Sequence, residues 1–179
     1  MKYLIREQFP LVDEILGERE AALNLDLSGY KNHVLRVINY SFAFDEMSPT
    51  DEAMLVTATV FHDLGIWTDG TFDYLLPSIA AADAYLMETG QSDRSAHVSQ
   101  IIREHHKLRP FRADRITEIF RKADLVDVSL GSVRFGLDRS FVKDVRVRFP
   151  NNGFHRFLIK TAGAWFIRHP IDPIPVLKW

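Results

Sequence analysis

Apolar residues recur along this chain at helical spacing, and alternation of the strand kind never persists for more than a few residues. A helix buries one stripe of side chains every 3.6 residues, whereas a half-buried strand needs period two, so the pattern predicts an all-α protein. The best marked helix begins at Ser48-Pro49-Thr50-Asp51: a serine cap, a proline in the first turn and an acid three residues after the cap. The apolar run Ala53–Phe61 follows it, and Gly65 is read as the left-handed residue that closes the helix. His62 and Asp63 would then occupy its last turn.

Other elements follow by the same reasoning. Lys31 to about Phe44 carries Val34, Leu35, Ile38 and Phe42 on one stripe, with His33, Val37 and Tyr40 beside it, which puts His33 at a helix start. The segment Trp67–Tyr74 mixes turn formers with aromatics and reads as a loop. Helices are expected over Pro77–Glu88, over Ser92–Lys107 until Pro110 stops it, and around Ile116, Ile119, Phe120, Ala123 and Val126. The last of these carries both Asp124 and Asp127. Phe141–Phe149 is compatible with a helix or a strand because of its β-branched alternation, and Phe154–Ile167 reads as a helix before a proline-punctuated tail from Pro170.

Length limits the architecture to one domain: 179 residues, 46% hydrophobic, supply one sizeable core. The expected organisation is a single domain over 1–179, with a motif core at about 25–130 and a helical extension over 131–179. A formal charge of −2 argues against a nucleic-acid or anionic-membrane surface and favours a small-molecule substrate. Cysteine is absent, so a metal would have to sit on nitrogen and oxygen ligands. No run approaches a membrane span and the N-terminus soon reaches charges, so a cytoplasmic location is expected.

Chemistry concentrates in Ala58-Thr-Val-Phe-His-Asp-Leu-Gly65, with His33 before it and Asp124 after it. Two imidazoles and two carboxylates on separate helical segments suit one divalent cation with positions left for water and substrate. This order of residues resembles the HD-domain metal-dependent phosphohydrolase superfamily over roughly residues 25 to 130, and Ile101-Ile-Arg-Glu-His-His-Lys107 is similar to its Ile-x-x-His-His element. The resemblance implies His33, His62, Asp63 and Asp124 as metal ligands. It also implies hydrolysis of a small phosphorylated metabolite or nucleotide by a metal-bound water, the metal being zinc, manganese, iron, cobalt or nickel. Members with two or three metals have a histidine in the helix after the HD pair. None occurs between Phe72 and Leu86 here, so a single ion is expected.

His105 and His106 would then be free to serve catalysis alongside Asp63, contacting the leaving group or acting as general acid. Arg36, Arg103, Lys107 and Arg109 are the candidate phosphate donors, and Trp67, Phe72 and Tyr74 can stack a base or enclose a small apolar group. Arginines facing the metal would favour the phosphohydrolase. A closed apolar pocket would favour a hydratase or lyase of a small uncharged molecule, and an occluded metal a non-catalytic ligand-sensing module.

Blander explanations stand beside these. A lone His-Asp pair at a helix end often serves as a cap, and His105 and His106 complement a helix dipole. Asp127, one turn from Asp124, is a direct rival as ligand. His97, His155 and His169 have no partner in the pattern and are read as structural or solvent-exposed. The charges of Arg134–Arg148 are read as a solvated face, and Phe154, Phe157, Trp165 and Phe166 as core or as the contact of a possible homodimer.

Overall fold

A computed structural model describes residues 3–172 and 175–177, and every regular element among them is helical. The longer helices are α1 (Pro10–Gly17), α3 (Leu27–Phe44), α4 (Pro49–Phe61), α6 (Leu75–Glu88), α7 (Ser95–Glu104), α8 (Arg115–Val128), α9 (Arg139–Arg148) and α10 (Phe154–Arg168). Two single-turn helices, α2 (Glu20–Leu23) and α5 (Gly65–Thr68), join them. None of the described helices is long and apolar enough to cross a membrane.

Four helices close a ring: α3 packs on α4, α4 on α7, α7 on α8 and α8 back on α3. Each turns an apolar stripe inward. Val34, Val37 and Ile38 come from α3, Leu55, Ala58 and Val60 from α4, Val98, Ile101 and Ile102 from α7, and Phe120, Ala123 and Val126 from α8, all buried. Burying an aliphatic side chain of this size is worth about 1.5–3 kcal/mol, so the ring is the main source of cohesion. It and its helix ends also carry six buried histidines and aspartates, as described below.

Local chemistry explains the boundaries. The Ser48 hydroxyl accepts from Asp51 N–H at 3.1 Å and Pro49 fills the first turn of α4. Asp114 likewise caps α8, accepting from Thr117 N–H at 2.7 Å. Three expectations need correction. The helix bearing the His-Asp pair ends at Phe61 rather than Gly65, and His62 is its C-cap. Gly65 adopts no left-handed conformation. It is required by close packing instead, since a Cβ there would lie 2.8 Å from the Tyr74 carbonyl oxygen and 2.9 Å from Pro77 Cβ. Third, α3 starts at Leu27, which moves His33 from the helix start into its second turn.

The ambiguous stretch 141–149 lies in helix α9, because Phe141, Val142 and Val145 are buried together as one helical stripe. Trp67 and Thr68 belong to the short helix α5, so the expected aromatic loop begins only after them. Past α7, His105 and His106 lie in a turn rather than in the helix expected to reach Lys107.

Candidate metal centre

The ring brings His33 from α3, His62 and Asp63 from the end of α4, His105 from the end of α7 and Asp124 from α8 to one place. All five are buried, His33 and His62 completely. His33 Nε2 and His62 Nε2 lie 3.0 Å apart. Asp63 Oδ2 is 3.3 Å from His62 Nε2 and 3.9 Å from His33 Nε2. Asp124 Oδ1 is 3.6 Å from His33 Nε2 and 3.7 Å from His62 Nε2, and His105 Nε2 is 3.6 Å from Asp63 Oδ1.

The outer nitrogens decide what the inner ones can do. His33 Nδ1 donates to Asp127 Oδ2, His62 Nδ1 to the Thr59 carbonyl and His105 Nδ1 to the Ile102 carbonyl, each at 2.7 Å. Those partners are acceptors only, so each neutral ring carries its proton on Nδ1 and presents a bare Nε2 lone pair to the centre. With the rings neutral, three lone pairs and two carboxylates converge without a donor of their own. Asp63 Oδ1, Asp124 Oδ1 and His105 Nε2 are buried with no hydrogen-bond partner. Leaving such an atom unsatisfied costs about 1–3 kcal/mol, and a cation among these atoms satisfies all of them at once. The donor set, nitrogen and carboxylate oxygen, fits a divalent first-row metal.

Electrostatics point the same way. Burial pushes the His62 pKa down, yet the Asp63 and Asp124 carboxylates outweigh it and raise it to about 10. Asp63, despite its own burial, is held well below the usual carboxylate range by His62 and His105, so its charge persists. The pull on positive charge is intrinsic to the side chains.

Behind this cluster sits a second layer. Asp127 is fully buried, and its other contacts are with Arg36, from Nε at 2.6 Å and Nη2 at 2.8 Å. Burial raises the Asp127 pKa, but Arg36 and His33 more than reverse this and keep the carboxylate ionised. A carboxylate that accepts from the far nitrogen of a ligating histidine fixes its tautomer and orientation. Phe154 stacks on the His33 ring at 4.2 Å, and Phe120 meets His62 and His105 edge-on. His155 Nε2 donates to the Asp127 carbonyl at 2.9 Å, in keeping with a structural role.

Candidate substrate residues fare unevenly. Arg36 is only 1% exposed and fully engaged by Asp127 and the Phe149 carbonyl, so it is a support of the centre and not a phosphate donor. Arg103 lies on the exposed side of α7, and Lys107 pairs with Glu104 at 3.4 Å. Trp67 is held by Asp26 through its Nε1 and stacks on Phe157 at 4.8 Å. Tyr74 is buried and shares a 2.6 Å hydrogen bond with His106 Nε2. Burial and the adjacent His105 push the His106 pKa down to about 3, so the ring is neutral and cannot be the imidazolium acid expected near neutral pH. Among the described residues, Asp63 and Asp124 have no arginine or lysine within 4.0 Å, only histidines.

His105 and His106 also lie with Asp63 in a second group whose ligand atoms are within 4.8 Å of one another, as are those of His33, His62 and Asp63. The sequence signal for this was the His-His pair itself. Tyr30, whose hydroxyl donates to the Val60 carbonyl beside the centre, carried no signal that distinguished it from core residues, and Asp127, expected as a rival ligand, orients His33 instead. Comparisons with protein-family models, curated proteins and solved structures return no match.

Proposed function

We propose that this chain is an HD-type metal-dependent hydrolase in which His33, His62, Asp63 and Asp124 hold one divalent cation, and that its substrate is a small phosphorylated metabolite or nucleotide. One observation carries the metal: Nε2 atoms that present lone pairs when their rings are neutral converge with unpartnered carboxylate oxygens in a buried space. When bound, such an ion lowers the pKa of a coordinated water and polarises the substrate oxygen. The protein's part is orientation and exclusion. Asp127 and Thr59 hold the His33 and His62 rings with Nε2 inward, and Asp63 supplies permanent negative charge. The Tyr74 hydroxyl, kept protonated by burial and by Asp63, can donate a hydrogen bond to a substrate oxygen, with neutral His106 as its partner.

A second reading is hydration of a small uncharged molecule. The want of arginine or lysine beside the two carboxylates and the aromatic enclosure by Tyr30, Tyr74, Phe120 and Phe154 favour it. The deciding experiment combines elemental analysis of the purified chain with turnover assays on phosphomonoesters, nucleotides and small neutral electrophiles, each with manganese, iron, cobalt, nickel and zinc. Stoichiometric metal that is lost in Asp63→Asn, with phosphoester turnover, is the expected result. Turnover of neutral electrophiles alone selects the second reading, and unchanged metal content in Asp63→Asn refutes the ligand assignment.

A further inference from the structure

Away from the metal centre, α9 and the loop before it enclose a groove of about 590 Å³. Its walls include Ser132, Arg134, Arg139, Lys143 and Arg146, and none of the cluster histidines or aspartates. Arg139, Lys143 and Arg146 fall at i, i+4 and i+7, hence on one side of α9. The acids of this stretch, Asp138 and Asp144, do not line the groove. One helical position turns a side chain by about 100°, which is enough to separate Asp144 from Lys143.

This arrangement is unfavourable by itself. Like charges at i, i+4 repel, and a cation in the first turn, where Arg139 sits, opposes the helix dipole. Several arginines elsewhere meet carboxylates, Arg6 facing Glu52, Arg115 facing Asp45 and Asp51, and Arg121 facing Glu118, while others such as Arg103 and Arg112 have none within 4.0 Å among the described residues. Arg139, Lys143 and Arg146 have no carboxylate within 4.0 Å among the described residues. Arg134 donates only to the Gly131 carbonyl, at 3.0 Å.

The groove is also held in shape. Gly131 has φ +79, and a Cβ on it would come 2.8 Å from Val142 Cγ1, so the loop lies tightly on α9 where only glycine fits. Its amide donates to the Val126 carbonyl at 2.8 Å, which ties the loop to the end of α8. Four cations are thereby set around one concavity of small-molecule size.

We infer that this groove binds a small polyanion bearing two or more phosphoryl groups, at a site separate from the metal centre. Arginine forks and a lysine give the multiple charge-assisted contacts that such a ligand needs. The basic stripe ends at Arg148, which is paired with Glu7, so it offers no continuing track for a nucleic-acid backbone.

Calorimetric titration of the full chain with inorganic tripolyphosphate at low salt tests this. Saturable binding is expected, weakened about tenfold or more in the double variant Arg139→Gln/Lys143→Gln and retained in Asp63→Asn, which replaces a proposed metal ligand. Circular dichroism checks helicity, and Ser132→Glu, which places a negative charge in the groove, serves if the double variant misfolds. Failure to saturate, binding that survives these variants, or binding lost in Asp63→Asn overturns the inference. So does tighter binding of a single-stranded oligonucleotide that the same variants abolish.

Discussion

The Nδ1–H of His33 donates to Oδ2 of Asp127 at 2.7 Å, and this bond decides which way the His33 lone pair faces. Because the same carboxylate carries Arg36 through Nε and Nη2, one buried aspartate orients a candidate ligand and neutralises a buried guanidinium.

Asp127→Asn leaves that guanidinium buried beside a neutral amide. The expected outcome is a loss of about 3–5 kcal/mol in stability. Metal affinity should also fall by about 10–100-fold, as seen when outer carboxylates are removed from histidine ligands. Urea unfolding and metal titration measure the two effects. Native affinity in a folded variant contradicts the positioning role.

Gly65→Ala must push the Tyr74 carbonyl or Pro77 away, since both lie under 3.0 Å from the new methyl group. Overpacking of this kind costs about 1–3 kcal/mol, and the strain falls two residues from Asp63 and on the segment holding Tyr74. Thermal unfolding with metal analysis should show lowered stability. An unaltered melting temperature would show that the α5–α6 junction is slack.

Tyr74→Phe removes the hydroxyl that bonds His106 and leaves every candidate metal ligand in place. Metal content is expected to stay at the native level while turnover drops by about 10²-fold, within the range for loss of a single positioned donor. Metal lost together with activity would instead make the tyrosine a structural prop.

Asp114 is the N-cap of the helix that carries Asp124 and Asp127. Burial raises its pKa, but the Thr117 N–H and His97 lower it further, so the net shift is downward. A carboxyl depressed in the folded state contributes stability above its ordinary value of 3.8, and that stability is lost as pH falls through the folded value. Asp114→Ala should cost about 1 kcal/mol at neutral pH. The difference from the native chain should shrink in acid, as urea unfolding across pH would reveal. A pH-independent difference excludes the ionic contribution of the cap.

Much of the candidate metal centre was legible in the sequence. The order of His33, His62, Asp63 and Asp124 carried the resemblance that implied them as ligands, and the structure puts a nitrogen or carboxylate oxygen of each within 3.9 Å of one from another member of the set. Arg36 and Asp127 were harder. On a helical wheel Arg36 shares a side with His33, and that is equally consistent with reaching a substrate or a buried carboxylate. Asp124 and Asp127 are nearly one turn apart on α8, and only the depth at which α3 packs on α8 separates the inner from the outer acid. In α9 the β-branched alternation left strand and helix open, and burial of Phe141, Val142 and Val145 together settled it.

Period and capping chemistry, which act between residues a few positions apart, sufficed to determine an all-helical chain and the segments that carry its ionisable residues. Whether a given nitrogen turns inward bare or outward bonded, and whether an arginine meets solvent or a buried aspartate, depended on contacts between residues up to 94 positions apart. Those are decided only when the helices pack, because desolvation makes an unpartnered polar atom costly and so favours arrangements that pair it, as Asp127 pairs Arg36 and His33.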